Sequence, residues 1–571
     1  MRRVLIAISV SVVVVSVITA TFLVIRHRNS SSVTQLVQNS PKASASSLPV
    51  SEYISAALVS STQHKTDRAD FLVSLAKKQS DISTVVLVGT ASAEAKTIVE
   101  VSGVKTGIDS LANTVVTRNE DLKNNVLDEV AAETLAAFQH ASQAHVLLSS
   151  SITSLQVTSV VNALKTDCAH CLIIAFSNLS QGLPASVADL HDTVTERVLD
   201  NVDTAAIWNR PEFESPPVVA FLMEWASVQN TLSFQQISRT NSGEPVTDPD
   251  ATTTSQLLGY YQAGDKTVPK NSVNFLIGGD MMFGRGVQYI YWPTGMNSTV
   301  ANLGERLFWG TDAGIINLEG PVSKTHVPDT PFQQDLVFNF SPESVGALSF
   351  MHVNVASQAN NHSANHGAAG LQSTRDLLTA ANINPLGGPT DADVDRTVDI
   401  KGQNITLHII GVHCLETQPS LADLIKKLKA TANDRVLVFP HCGVEYQPKH
   451  SSTQQTLYRS WIDQGADVVI GAHPHVIEDA EMYKGKPIIY SLGNLLFDQS
   501  FSVPTQQGML IGGQFTDDTL TIFGLPVQLS RYRPQLMTGV TKTSLLDSLY
   551  APLAAEKTDS PAGTVLTFSL K

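Results

Sequence analysis

DVVIGAHPH, residues 467–475, places an apolar run ahead of Gly471 and Ala472, then sets His473 and His475 on either side of Pro474. A short apolar run bounded by turn residues reads as a buried strand. Two of the chain's 16 histidines therefore stand together at one strand exit. The pattern recurs through the same half of the chain. Asp280 follows NFLIGG, Glu319 follows GIINL, Asn361 and His362 follow VNVASQAN, and His441 follows RVLVFP. Each element has a plainer reading when taken alone: a capped turn for GGD, ordinary loop composition for Asn-Asn-His, a hydrogen-bonded structural histidine for the others. Five successive strand ends carrying such groups point instead to one shared rim, since α/β sheets build their sites at strand carboxyl ends. Carboxylate, amide and imidazole together suit Mn, Fe, Zn or similar divalent ions without any thiolate. One or two such ions hold and polarise an oxyanion and activate water, leaving a histidine free as general acid.

Working outward, 571 residues exceed one ordinary core and suggest several domains. Val4–Ile25 carries no charged residue. At about 1.5 Å per residue those 22 residues span roughly 33 Å of helix, enough for a bilayer core. The apolar region of a cleaved signal is shorter, about 7–15 residues, so residues 1–28 read as an uncleaved single-pass anchor. Arg2 and Arg3 flank one end, Arg26 and Arg28 the other, so basic residues alone do not set its orientation. The net charge of −14 argues against nucleic acid as a partner and against docking on anionic lipid. Four cysteines make no disulfide scaffold. Cys168 and Cys171 form a lone CxxC, which suits a redox pair, half a metal site, a local disulfide or plain structural cysteines; no second CxxC supports zinc.

Residues 29–49 are Ser-rich and read as a flexible tether. From 50 to 262, apolar strands such as 84–89 and 171–177 alternate with helical stretches at 128–141 and 187–202, which implies a parallel sheet in an α/β domain. A polar stretch, 240–256, follows, and 263–271 reads as a linker. A second α/β domain occupies 272–571.

FLIGGDMMFGRGV (275–287), INLEGPVS (316–323), SQANNHSANHG (357–367), FPHCGVEYQP (439–448) and the stretch from Ile462 to Asp498 that ends in YSLGNLLFD together resemble the CapA family. These are poly-gamma-glutamate capsule synthesis proteins whose fold is similar to calcineurin-like metallophosphoesterases. The resemblance covers about 272–534. It implies that Asp280 and His475 bind a first metal, that Glu319 bridges, and that Asn361, His441 and His473 hold a second. His362 would donate a proton, while Arg285, Glu445 and Asn494 would contact substrate. Four positions depart from the family pattern: Met282 replaces a metal-binding His, Asn365 an Asp, Cys442 a Trp and Ala472 a His. Phosphatase activity is thereby put in question even if metal binding persists.

Residues 50–261 resemble, more weakly, the MEMO-type proteins related to class III extradiol dioxygenases, through 173–194, 213–225 and 237–261. Apart from a displaced His64, the metal-type histidines of that family are missing, which implies a non-catalytic scaffold or binding module. The expected whole is a membrane-anchored protein with its bulk outside the cytoplasm. It would act in synthesis, export or surface attachment of an anionic polymer such as poly-gamma-glutamate, with membrane capsule-synthesis subunits as partners. A metal-dependent hydrolase or transferase, a non-catalytic polymer-binding subunit and a small-molecule phosphoesterase all fit that residue set.

Overall fold

The computed structural model describes residues 53–571 apart from 61, 63–64, 92–98, 103–115, 119–124, 169–170, 209–211, 242–249, 325–335, 391–395, 554–555 and 561–562. The anchor Val4–Ile25, the tether 29–49 and His64 lie outside the described residues. Among the described residues, no helix is long and apolar enough to cross a membrane.

The first half is built on nine strands: β1 (Ile54–Val59), β2 (Thr84–Thr90), β3 (Val99–Ser102), β4 (Val116–Arg118), β5 (Ser142–Leu148), β6 (Cys171–Phe176), β7 (Gln181–Pro184), β8 (Ser233–Asn241) and β9 (Thr252–Gln262). They pair in the order β4-β3-β5-β2-β6-β1-β9-β7, with β8 also on β9. The central strands β5, β2, β6 and β1 run parallel, as the strand and helix alternation predicts. Of these, β1 and β6 are buried from end to end because helices cover both faces, which is why such segments read as unbroken apolar runs. The flanks depart from expectation: β3 joins β5, and β9 joins β1, antiparallel. Part of the polar stretch 240–256 is strand: Thr252, Thr253 and Thr254 open β9. Three β-branched residues in a row favour a strand despite their hydroxyls. Cys168 and Cys171 form a disulfide where the helix Ser154–Asp167 meets β6.

The second half does not continue as one sheet. Strands β10 (Ser272–Met281), β11 (Ala313–Leu318), β12 (Val355–Ser357) and β13 (Asn384–Leu386) run parallel. They join β20 (Asn494–Leu496), β21 (Gln507–Thr516), β22 (Thr519–Ser530), β23 (Arg533–Leu536), β24 (Glu556–Ser560) and β25 (Gly563–Ser569) in a ten-stranded sheet. A separate six-stranded sheet holds β14 (Thr397–Lys401), β15 (Thr406–His413), β16 (Asp434–His441), β17 (Val468–Ile470), β18 (Ala480–Tyr483) and β19 (Lys486–Ile489). One apolar cluster takes Phe275, Ile277 and Ile511 from the larger sheet and Leu407, Leu437 and Ile470 from the smaller, so the two sheets pack face to face. Helices close the outer faces; Trp461 and Tyr458 of the helix Ser452–Asp463 are fully buried over β16 and β17.

The halves meet along the helix Ala185–Asn201. Its Val187, Ala188 and Leu190 share a cluster with Leu276 and Ile316. Around that contact, Arg197 Nη2 donates to Asp312 Oδ2 at 2.7 Å and Asn274 Nδ2 donates to the Leu190 carbonyl at 2.8 Å. His191, fully buried, reaches Glu212 through Nδ1 at 3.1 Å and the Leu307 carbonyl through Nε2 at 3.3 Å.

Candidate functional site

The rim forms where the carboxyl ends of both facing sheets come together. GGD is not a turn: Gly278, Gly279 and Asp280 all lie within β10. A Cβ on Gly279 would stand 1.9 Å from the Gly493 carbonyl oxygen, so only glycine lets β20 approach here. The Asp280 N–H then donates to that same carbonyl at 3.0 Å, which fixes the carboxylate at the strand tip. From there, Asp280 Oδ2 accepts the His473 N–H at 3.1 Å and stands 3.3 Å from His475 Nδ1. Oδ1 accepts from Asn317 Nδ2 at 2.8 Å.

Glu319 follows β11 and is fully buried, yet neither carboxylate oxygen has a hydrogen-bond partner. Its Oε1 lies 3.5 Å from His475 Nε2, 4.0 Å from His441 Nε2 and 4.0 Å from His362 Nε2. One ligand atom each from Asp280, Glu319 and His475 falls within 4.8 Å of the others, a spacing a single cation could bridge. Beside them, His441 Nε2 lies 3.1 Å from His473 Nδ1 and 3.0 Å from Asn361 Oδ1. The five strand ends singled out in the sequence thus share one patch, buried except at exposed Asn361, three from the larger sheet and two from the smaller.

Two features set this patch apart. Burial, reinforced by Asp280 and Glu445, holds the Glu319 carboxyl well above the usual carboxylate range, against the pull of His475. Burial alone would lower His475, but Glu319 and Asp280 outweigh it and lift the imidazole to about 9. His473 goes the other way, pushed down to about 3 by burial and by His475. His441 is also held well below its ordinary value by burial, then by His473 and His413. A buried carboxyl with no hydrogen-bond donor is expensive; a divalent ion would take its lone pairs and those of the neutral His441 and His473 at once. Second, His473 and His475 adopt φ of 100° and 58°, left-handed values that cost about 1–3 kcal/mol each. The turn through Pro474 aims both rings inward at that cost.

His362 is placed by the chain around it. Its ring stacks on Phe338 with centroids 4.2 Å apart, and Nδ1 donates to Asn365 Oδ1 at 3.1 Å. That oxygen also accepts the Phe338 N–H at 2.8 Å, so it is an acceptor and the proton sits on Nδ1. The lone pair of Nε2 therefore faces Glu319. Burial lowers the His362 pKa, so at neutral pH the residue is a free imidazole that accepts at Nε2.

Of the three expected substrate contacts, Glu445 is exposed at the mouth. Asn494 is fully buried and holds His475 Nδ1 at 3.0 Å, which makes it a positioning group. Arg285 pairs with Asp498 and lies over the Phe338 and Phe497 rings at 5.1 and 5.7 Å. Met282 is fully buried in the apolar cluster of the larger sheet, and its sulfur accepts the Gly284 N–H at 3.0 Å.

Sequence reasoning missed several members of the patch. Asn317 Nδ2 reaches both Asp280 Oδ1 and, at 3.2 Å, His441 Nδ1, while its Oδ1 accepts from Asn360 Nδ2 at 3.0 Å. Lying inside β11, that asparagine falls outside the strand-end rule. His413 ends β15 in register with His441, their rings 6.4 Å apart, and obeys the same strand-end rule as the others. Cys414 and Cys442, the residues just after these histidines, form a disulfide across the two strands.

Residues 274–499 match the family described as bacterial capsule synthesis protein PGA_cap, and this segment is a PGA_cap domain. The chain is similar to the PGA biosynthesis protein CapA of Bacillus subtilis (strain 168), 29% identical over 274 residues, 43% of this chain and 70% of that protein. It is also similar to the capsule biosynthesis protein CapA of Bacillus anthracis, 27% identical over 283 residues, 46% of this chain and 68% of that protein. Among solved structures, a novel phosphatase from Mycoplasma pneumoniae overlaps 48% of this chain and 97% of its own at 14% identity, with a TM-score of 0.27. An overlap of that size decides nothing about chemistry.

Proposed function

We propose that the chain serves in synthesis, export or surface attachment of an anionic capsular polymer such as poly-gamma-glutamate, and that the rim binds a divalent cation through which it grips a carboxylate of that polymer. The observation that carries this reading is Glu319, whose two buried oxygens lack partners amid three imidazoles. Asp280, Glu319 and His475 would hold the ion. Asn361, His441 and His473 form an adjoining set that would hold a second or complete the first. A bound ion supplies positive charge for an oxyanion and a more acidic bound water. The chain's own residues orient the patch: Asn317 and Asn494 fix the Asp280, His441 and His475 side chains. Phe338 and Asn365 hold His362 with its lone pair toward the rim.

Two observations favour a polymer-binding role over turnover. Met282 is packed among apolar side chains where the resembled family has a ligand. Neutral Asn365 gives His362 no carboxylate to stabilise an imidazolium, so it is poorly prepared to donate a proton. Two disulfides suit an oxidising compartment, and the family likeness to capsule proteins suits the envelope. Val4–Ile25 would tether the protein there as a single span, with the first half as a non-catalytic MEMO-like scaffold.

Elemental analysis of the purified chain, with equilibrium binding of poly-gamma-glutamate before and after EDTA, tests this reading. Bound Mn, Fe or Zn near one or two equivalents and chelator-sensitive polymer binding are expected. A metal-free protein that binds the polymer regardless of chelator would refute the cation-mediated grip.

A further inference from the structure

Three residues beyond His475 the chain turns away from the rim, and Glu478 lines a separate cavity of about 360 Å³. None of the rim residues lines it. The helix Gly539–Tyr550 forms one wall through Leu545 and Ser548, and Ile477 forms another. Glu478 is only 2% exposed. Its Oε2 accepts from Gln454 Nε2 at 2.8 Å, but Oε1 is buried and has no hydrogen-bond partner. Asp479 lines the same cavity, with Oδ1 held by the N–H and Nδ1 of His450 at 3.1 and 2.8 Å. Lys449, exposed, stands at the mouth.

A buried carboxyl oxygen without a donor, on a residue that lines a cavity, is a place for a ligand's donor. A metal ion is a poor candidate: among the described residues the only grouping able to hold one is Asp280, Glu319 and His475. A bare organic cation would meet repulsion from Lys449 at the entrance. A ligand with an ammonium at its inner end and a carboxylate nearer the mouth satisfies both ends, and the volume lies in the range of about 300–1,000 Å³ usual for small-molecule sites. We propose that this cavity binds the head group of an amino acid, its ammonium donating to Glu478 Oε1 beside Asp479 and its carboxylate facing Lys449. Burial lifts the Glu478 carboxyl to about 8, so the empty cavity holds it protonated, and the incoming ammonium displaces that proton to solvent. The free amino end of a gamma-linked glutamate chain carries that head group, a link that rests on the polymer reading; the cavity's chemistry does not.

The test is calorimetric titration of the purified chain in EDTA, which keeps cations off the rim, with glutamate and with N-acetylglutamate. Acetylation removes the ammonium and keeps both carboxylates. Glutamate should bind, and N-acetylglutamate at least ~10-fold more weakly, the cost of one charged hydrogen bond. Glu478→Gln should weaken glutamate by a similar factor. Ser548→Trp, at an exposed helix position, should block the cavity with helical content unchanged, a control for misfolding in the first variant. No glutamate binding by wild type, equal binding of the acetylated form, or unchanged affinity in Ser548→Trp would overturn the proposal. Cation content, measured separately, reports on the rim alone, so the two readings fail independently.

Discussion

Ser60 and Asn178 follow β1 and β6 in the first half as Asp280 and Glu319 end or follow β10 and β11 in the second, and all four are buried. In the first half the polar tips answer one another. Ser60 Oγ accepts the Leu257 N–H at 2.6 Å, Asn178 Nδ2 donates to Glu214 Oε2 at 2.8 Å, and Asn178 Oδ1 accepts from Thr62 Oγ1 at 2.9 Å. In the second half Glu319 has no hydrogen-bond partner, only the His475 ring at ion-pair distance, 3.5 Å. Equivalent architecture has thus been closed in one place and left open in another. At these strand tips the difference lies in hydrogen-bond completeness and not in the mere presence of polar groups.

The sharpest way to break this contrast is Glu319→Gln. It should lower cation affinity by roughly 1000-fold, beyond the ~100-fold ceiling for residues that only orient ligands. Asn178→Ala should leave cation content unchanged while lowering the unfolding midpoint. Elemental analysis beside thermal melts reads both, and equal cation loss in the two variants would erase the distinction.

The next effect concerns a buried acid of the first half. Burial, against opposing help from Arg239, raises Asp192 to about 6. The folded state therefore holds this proton to higher pH than the unfolded chain, whose aspartate titrates near 3.8. Stability from this group is complete below that lower value and is lost as pH climbs through about 6. Relative to Asp192→Asn, the wild type should lose on the order of 3 kcal/mol between pH 4 and 7. Urea titrations across that window check the sign, and a flat difference would show that Arg239 keeps the group ionised throughout.

Much of this contrast was legible in advance, and its limits are physical. Strand tips announce themselves because a polar residue after an apolar run breaks a local pattern, which is how Asp280, Glu319, His441 and His473 stood out. Asn317 did not, being inside a strand, where one asparagine looks like noise until its neighbours across the sheet are known. The division of the second half into two facing sheets was also hidden: periodicity reports what a strand is, not which sheet it joins. Arg285 and Asn494 were found as polar residues near the motifs, but only packing reveals that Arg285 pairs with Asp498 and that Asn494 supports His475.

Smaller in effect, Asn317→Ala should weaken cation binding about 10–100-fold without displacing any ligand, since that amide only holds Asp280 and His441 in place. Titration calorimetry with Mn or Zn gives the number, and an unchanged affinity would demote Asn317 to scaffold. Smallest, Asn365→Asp should raise the His362 pKa by about 1 unit by placing a carboxylate on Nδ1. The C2 proton resonance of that ring, followed against pH, would show it. If turnover on phosphoesters emerges alongside, the missing acid is what silences the rim.

Because three strand tips come from one sheet and two from the other, an ion held there would work as a clasp across the seam. Its binding energy would count toward cohesion: at a thousand times the dissociation constant, about 4 kcal/mol. Chelation would then loosen the whole sandwich, and a lesion deep between the sheets, far from any ligand, would surface first as a protein that has let go of its metal.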